Sequence, residues 1–403
     1  MRATSPLHRF GVFLPLAIGV TCAGCSSAPE SVTLRPRPKT EVQALLSTGD
    51  AARRNGDPEG AVAIYRSAVE KHPDAIPAHL RYVSTLLDLG RRSVARDAYA
   101  ERVAAGGATV VDRVMSERLS AEGTPTAIRE VYVGAARAEQ GNPWWRLALA
   151  EVDLSAGDRW IRRWSKARED GDRARADKAL VCANAALSRA QAAVDSAARL
   201  GPEVVEVDFY RGLLRSLEGD LQRTAVGRLA AYRAATDALK RAVSADPEMV
   251  DAWANLADAQ YRAAALPEAL DAYVYASKLA PSDPDLRDGA GLVLYDLGRY
   301  DDAAVQYAES GRLRPRDATP LLNLGDALAA AGKYPDALAA YKDGLLRDSS
   351  AVEAHAKMGT VLERLGRRAE ARQEYETYVD RGGVNAAAVR RRIERMFASE
   401  SSG

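Results

Sequence analysis

The sequence predicts an all-α fold built from repeated pairs of helices, and the regular spacing of a few residue types carries this prediction. Tyrosines recur at intervals of 34 residues in two runs, at Tyr65 and Tyr99 and at Tyr273, Tyr307, Tyr341 and Tyr375. Each of these tyrosines follows an alanine by four residues, and all but one follow a glycine by nine residues. The exception has Ala264 in place of the glycine. In three of the repeats a proline follows the tyrosine by eight residues.

Each residue type has its own role in such a helix pair. Glycine ends the first helix, because a residue without Cβ adopts the left-handed conformation at no steric cost. Alanine lets the two helices approach closely, and the tyrosine one turn later lies on the same face and fills the space between them. Proline ends the second helix, because it lacks a backbone donor and restricts the residue before it.

This pattern resembles the tetratricopeptide repeat, whose period is also about 34 residues. The segment 250–283 matches that family best, with its signature positions filled by Trp253, Leu256, Ala257, Ala269, Tyr273, Ala276 and Pro281. The resemblance implies a tetratricopeptide-type α-solenoid, which is a right-handed superhelix of helix-turn-helix repeats, with about nine helical pairs in this chain.

The pattern also divides the chain. We predict regular repeats at residues 42–107 and 250–381, and a polar capping helix with a short tail at residues 382–403. The repeat pattern is less regular between these two runs, at residues 108–249, and we predict lengthened, repeat-like helices there.

Two wide spacings within this middle part suggest the longer helices. If Gly219 occupies a turn and Pro247 a helix end, 28 residues separate them, where a regular repeat has 17. The excess of 11 residues is about three helical turns, which keeps the apolar face in phase. The same assignment for Gly157 and Pro202 gives a separation of 45 residues.

The N-terminal residues predict a secretory signal. Basic residues precede a short apolar run at residues 10–20, and small residues follow it. The residues that end at Cys25 resemble a bacterial lipobox, although Cys22 stands where that motif usually has an aliphatic residue. The resemblance implies that residues 1–24 are a signal peptide and that Cys25 is lipidated. We expect residues 25–41 to be the lipidated cysteine and a flexible tether.

These features predict a lipoprotein of the cell envelope that faces the periplasm. By resemblance to enterobacterial sorting, Ser26 after the cysteine implies the outer membrane. Lipid chains on Cys25 would hold the protein on a membrane without spanning it. Ordinary secretion and an uncleaved anchor are the alternatives.

Composition argues against several other functions. The 56 basic and 55 acidic residues give a net charge of +1, which offers no electrostatic attraction to nucleic acid. We expect no cofactor, no metal ion and no small-molecule substrate, because the four histidines lack metal-ligand spacing and no nucleotide-binding or nucleophile motif is found. Cys182 lies in an apolar helical stretch and is expected to be a small core residue. We therefore predict no catalytic residues and no enzymatic activity.

The family resemblance also implies where protein partners bind. Certain positions of each first helix typically line a concave groove in tetratricopeptide proteins, and here they make an acidic groove with tyrosine and leucine side chains. The predicted groove residues are Asp251, Asp258, Tyr261, Arg262, Asp285, Asp288, Leu292, Tyr295, Asp296, Leu322, Asp326, Glu353, Thr360, Glu363 and Arg364. A segment with basic residues would fit this groove. The alternative is a solvated face that happens to be acidic.

A second candidate is a basic patch in the lengthened part of the chain. Its cations share one helix face and are Arg159, Arg162, Arg163 and Lys166. Trp160 and Trp164 lie one turn apart on another face. Such a surface suits anionic lipid head groups or an acidic patch of a partner. The alternative is that the tryptophans pack on the lengthened helices and that the arginines pair with Glu169, Asp170 and Asp172.

Together these features predict a membrane-anchored periplasmic scaffold that binds protein partners. The chain resembles lipoproteins of this architecture that help secretins, pili or secretion complexes to assemble. One alternative is a scaffold for exopolysaccharide export or for peptidoglycan enzymes. Another is an enzyme domain hidden in residues 108–249.

Overall fold

The structure of the protein is a computed structural model, and it describes residues 39–120 and 124–398. These residues form 19 α-helices, and no β-strand occurs among them. The helices follow one another along the chain with short connections, which confirms the predicted all-α repeat architecture.

The helices belong to two compact units that are divided between Ala265 and Leu266. The first unit contains α1 (Glu41–Arg54), α2 (Pro58–Lys71), α3 (Ile76–Asp88), α4 (Arg92–Ala104), α5 (Val110–Ser120), α6 (Pro125–Ala138), α7 (Pro143–Glu169), α8 (Arg173–Leu200), α9 (Val205–Leu221), α10 (Ala225–Ala245) and α11 (Val250–Arg262). The second unit contains α12 (Leu266–Leu279), α13 (Pro284–Asp296), α14 (Tyr300–Leu313), α15 (Thr319–Ala330), α16 (Tyr334–Arg347), α17 (Glu353–Arg364), α18 (Arg368–Asp380) and α19 (Ala386–Ala398).

The repeated tyrosines and alanines form the packing frame of the helix pairs. All six alanines are fully buried, and the six tyrosines that follow them are at most 4 % exposed. In four pairs the tyrosine ring lies against a glycine of the first helix, 16 residues earlier in the chain. At Gly325, for example, a Cβ atom would lie 2.5 Å from Cε1 of Tyr341. The ring therefore requires a residue without a side chain at this point.

A glycine in the left-handed conformation ends the first helix in most regular pairs. At Gly90, φ is +73°, and its N–H donates to the carbonyl of Leu87 at 2.9 Å. The next N–H, of Arg91, donates to the carbonyl of Leu86 at 2.8 Å, which completes a Schellman motif. Ala264, which replaces this glycine in one repeat, also has a positive φ, of +61°.

The middle helices are long, as their spacing suggested, but the turns lie elsewhere. α7, α8, α9 and α10 have 27, 28, 17 and 21 residues, whereas the helices of the regular pairs have 12 to 14. Gly157 and Gly219 do not form turns, because both lie inside helices, α7 and α9. Each allows a close contact instead. A Cβ at Gly157 would lie 2.6 Å from Leu187, and one at Gly219 would lie 2.5 Å from Tyr232.

The C-terminal helix α19 packs on the last helix pair. Val389, Ile393 and Met396 contact the buried cluster that includes Leu362. Among the described residues, no helix combines the length and the apolar character that a membrane span requires.

Candidate functional site

The predicted groove residues lie on the first helices of their pairs. Four of them lie on α11 in the first unit, and eleven lie on α13, α15 and α17 in the second unit. In the second unit, Tyr307, Tyr341 and Tyr375 lie against glycines of α13, α15 and α17.

In the first unit, the start of α11 is ion-paired with the first helix. Asp251 pairs with Arg54, whose side chain is only 6 % exposed. Just before α1, the Nζ atom of Lys39 lies 3.0 Å from the carboxylate of Asp246 and 2.7 Å from that of Glu248. These contacts tie both ends of α1 to the segment that leads from α10 into α11.

A second connection in this unit runs through Arg81 on α3. Its Nε lies 3.0 Å from the carboxylate of Asp50 on α1, and its Nη2 lies 4.0 Å from that of Glu206 on α9. Burial opposes the charged guanidinium, but these two carboxylates outweigh that effect and raise the pKa of Arg81. Arg81 therefore connects α3 with α1 and α9.

The remaining predicted residues of α11 are half-buried. Arg262 pairs with Asp220 and lies 5.6 Å from the ring centre of Tyr232. Burial opposes its charge, but Asp220, helped by Asp258, raises the pKa of Arg262. Asp258 and Tyr261 are half-buried beside it.

In the second unit, Arg314 neutralises two predicted acids of α13. Its Nη1 lies 3.0 Å from the carboxylate of Asp285, and its Nη2 contacts that of Asp288. Burial raises the pKa of Asp288 to about 6, and Arg314 only partly opposes this. Asp288 is therefore a buried structural acid, and it presents little charge to a partner.

Asp326 on α15 is also engaged in two contacts. It accepts a hydrogen bond from the hydroxyl of the buried Tyr341 at 2.7 Å, and Nζ of Lys357 lies 2.6 Å from its other oxygen. Asp50 is its equivalent in the first repeat, with partners at the same separations of 15 and 31 residues in sequence. Sequence reasoning missed this arrangement, and the signal that could have found it is an acid 15 residues before a frame tyrosine and 31 residues before a cation.

The predicted residues of α17 make similar contacts. Glu363 accepts two hydrogen bonds from Arg392 of α19, at 2.8 and 2.7 Å. Thr360 bonds to the hydroxyl of Tyr375 at 3.1 Å, and Glu353 accepts from Tyr378 at 3.2 Å. Four of the six predicted acids in the second unit thus face a cation already. The face is less acidic than the sequence suggested.

On this face three apolar side chains stay partly accessible, whereas the exposed side chains are charged. Leu292 and Tyr295 on α13 and Leu322 on α15 are half-buried, and Asp296, Glu353 and Arg364 are exposed. These residues lie where the sequence placed the groove, and their role in partner binding stays a prediction.

The basic patch lies on the second half of α7. Arg162 pairs with Asp158, which is not one of the acids expected for the arginines, and Lys166 pairs with Asp170 at 2.8 Å. Arg159 and Arg163 form no ion pair among the described residues.

The tryptophans of the patch stay half-buried and carry arginines on their rings. The guanidinium of Arg163 lies 4.6 Å from the ring centre of Trp160, and that of Arg168 lies 4.9 Å from the ring centre of Trp164. Each pair is a cation–π contact that keeps an apolar ring next to a positive charge.

The other chemistry-bearing residues have structural surroundings. His79 is buried, with ring nitrogens 2.8 Å from the hydroxyl of Tyr99 and 2.9 Å from the carbonyl of Pro73. Cys182 is a free, half-buried thiol in α8. No metal-binding group of three or more His, Cys, Asp or Glu occurs in the part of the chain that the structure describes. The predicted lipidation site, Cys25, lies outside the described residues.

Three solved structures are similar to part of this chain. The crystal structure of MamA is 19 % identical and covers 42 % of this chain and 96 % of its own, with a TM-score of 0.38. YrrB, described as a TPR protein with an unusual peptide-binding site, is 18 % identical and covers 49 % and 97 %, with a TM-score of 0.41. MamA from Desulfovibrio magneticus RS-1 is 17 % identical and covers 38 % and 86 %, with a TM-score of 0.36. No curated protein sequence matches the chain.

Two family models match the sequence, and both are described as tetratricopeptide repeat. One matches residues 224–284, 267–320, 289–350 and 322–386, and the other matches residues 42–85. These ranges together include more than half of the chain. The chain therefore belongs to the tetratricopeptide repeat family.

Proposed function

We propose that this protein is a membrane-anchored periplasmic scaffold that binds protein partners during the assembly of an envelope complex, such as a secretin, a pilus or a secretion machine. Its tetratricopeptide repeats make it a scaffold for protein–protein interaction. The proposed anchor and location rest on the N-terminal sequence, in which a short apolar run precedes Cys25.

The proposed binding site rests on a contrast in the second unit between acidic side chains, which are mostly paired, and apolar side chains, which are partly accessible. Most predicted acids there are ion-paired, whereas Leu292, Tyr295 and Leu322 leave apolar surface accessible. A partially exposed tyrosine on a rigid helix is a suitable anchor for a peptide segment, and the leucines beside it add apolar contact. We therefore place the partner groove on α13 and α15, with apolar contacts as its main source of affinity.

Crosslinking in native envelopes, followed by mass spectrometry, tests this proposal. The variant with Leu292→Ala and Tyr295→Ala should recover at least about tenfold less of the partners that the wild-type chain captures. The matched control carries Val305→Ala and Leu346→Ala, which remove two exposed apolar side chains from α14 and α16. Equal losses in both variants would show that the groove is elsewhere, and the absence of any partner of the wild-type chain would refute the scaffold.

The anchor is tested separately from the groove. A Cys25→Ser chain should incorporate no labelled fatty acid, because a single lipidated cysteine provides the proposed attachment. Unchanged labelling would refute the anchor, and it would leave the groove experiment unaffected.

The other two candidate functions differ in their support. A scaffold for exopolysaccharide export or peptidoglycan enzymes has the same architecture, so the identity of the crosslinked partners separates it from the main proposal. An α/β enzyme domain in residues 108–249 has no support, because the described residues there, 108–120 and 124–249, form the helices α5 to α10 and no strand.

A further inference from the structure

The long helices α7 and α8 form a cleft with a cationic rim. The cleft has a volume of about 430 Å³. Five cations surround it: Arg162, Arg163 and Lys166 from α7, and Arg175 and Lys178 from α8. Cations from two different helices therefore converge on one open space.

The floor of this cleft is apolar. Trp160, Ala167 and Ala179 line it, and Asp170 is the acid among its lining residues. A cationic rim above an apolar floor fits an amphiphile, whose anionic head contacts the rim and whose apolar part contacts the floor.

The positive charge of this region exceeds what its own acids neutralise. Residues 158–181 contain eight basic and five acidic side chains. Arg163 and Lys178 take part in no ion pair among the described residues. Partial burial lowers the pKa of the adjacent Arg159, and the nearby Arg163 adds to this lowering. The crowded cations would thus be stabilised by an external anion.

The region is also accessible from outside. Between residues 161 and 183, the buried side chains are one isoleucine and four alanines, so most side chains of this part of α7 and α8 are exposed or half-buried. Its surface includes Val181, which is 68 % exposed, and the half-buried Trp160 and Trp164. Tryptophan is enriched where a polar and an apolar phase meet, as at a bilayer surface.

We propose that this cleft binds the head group of an anionic phospholipid. The lipid phosphate lies on the rim near Arg163 and Lys178, and the glycerol and first methylene groups contact Trp160. A free phosphate ion would use the rim and leave the floor unused, which favours the lipid. The inference rests on the proposed membrane location and extends it, because the folded part of the chain then contacts the bilayer in addition to the anchor at Cys25.

Vesicle flotation tests this inference on the chain that begins at Ser26, which lacks Cys25 but keeps every described residue. We expect it to float with vesicles of mixed phosphatidylglycerol and phosphatidylcholine, and not with phosphatidylcholine alone. Arg163→Glu with Lys178→Glu should reduce its partition at least about tenfold, since each basic residue near an anionic surface contributes about 1 kcal/mol. The tryptophan emission should shift to shorter wavelength on binding, and Trp160→Phe should reduce that shift.

The matched control carries Arg390→Glu and Arg391→Glu, which make the same change in net charge at exposed positions of α19. It should partition like the parent chain. Several results would overturn the inference: no flotation with phosphatidylglycerol, equal flotation with phosphatidylcholine, or an equal loss in the control. Displacement by free glycerol phosphate at matched ionic strength would indicate a phosphate site, and binding of polyglutamate alone would indicate an acidic protein partner. The Cys25→Ser labelling result is independent of all these outcomes.

Discussion

Ala264 provides a direct test of the role of the turn residue. It occupies the place of the glycine that ends the first helix elsewhere, and it adopts the same left-handed conformation, with φ of +61°. Its N–H donates to Tyr261 at 2.9 Å and the next N–H donates to Gln260 at 2.8 Å. The corresponding distances at Gly298 are 2.9 and 2.9 Å, so the two turns have the same hydrogen bonds. Ala264→Gly should therefore change the backbone energy and little else.

The size of the effect follows from two opposing contributions. An L-residue in the left-handed region costs about 1 to 2 kcal/mol, which glycine avoids. Glycine also increases the freedom of the unfolded chain, which costs about 0.4 to 1 kcal/mol. Ala264 is exposed, so no buried contact is lost with its methyl group. We expect Ala264→Gly to raise the free energy of unfolding by about 0.5 to 1 kcal/mol.

Urea unfolding followed by circular dichroism measures this change. Gly298→Ala should lower the midpoint by a similar amount, since a Cβ at that position meets no atom within 4 Å and only the backbone is strained. Ala263→Gly is the control, because Ala263 has φ of −82° and gains no relief from glycine. The free energy of unfolding of Ala263→Gly should fall by about 0.4 to 1 kcal/mol. A similar decrease in the free energy of unfolding for Ala264→Gly and Ala263→Gly would refute the reasoning.

Three further predictions concern buried groups of the two units. Burial lowers the pKa of His79 from 6.5 to about 4. The neutral ring therefore contributes about 3 kcal/mol to the free energy of unfolding above pH 6.5, and this contribution is lost as the pH falls through 4. His79→Gln should lose this part of the pH dependence of unfolding, and an unchanged slope would contradict it. Asp326→Ala should lower the free energy of unfolding by about 1 to 3 kcal/mol, because it leaves the hydroxyl of Tyr341 without its acceptor. Lys357→Ala should lower it by less than about 1 kcal/mol, because this ion pair is exposed. Equal denaturation midpoints for the two variants would contradict this. Gly325→Ala should cost about 1 to 3 kcal/mol because its Cβ would meet the Tyr341 ring, and an unshifted midpoint would show that the ring moves freely.

The sequence predicted the parts of the fold that depend on short-range spacing. The tyrosine and alanine positions follow from the 34-residue period, and they are the buried frame. Glycine was harder to interpret, because the same residue serves a turn and a close helix contact. At Gly157 the contact with Leu187 on another helix decides between the two, and no local pattern shows that contact. The turn instead contains Gly171, where φ is +74°.

The charge of the predicted groove could not be predicted from its own residues. Asp326 meets Lys357, and Glu363 meets Arg392, so the neutralising cations come from later helices. The position of each acid followed from the repeat, but its net charge depends on how the next helix is aligned. The repeat spacing could have predicted the pair of Asp326 and Lys357, whereas the pair of Glu363 and Arg392 depends on how α19 packs.

This difference decides which substitutions can report on partner binding. Reversing the charge of Asp288 or Asp326 would place a cation next to Arg314 or Lys357, and it would remove a buried or hydrogen-bonded carboxylate from the frame. A loss of partner after such a change would reflect unfolding of the repeat as readily as a loss of contact. Removing the half-buried ring of Tyr295 leaves these ion pairs intact. Binding should therefore be measured at the apolar positions of the groove, and folding at its acids.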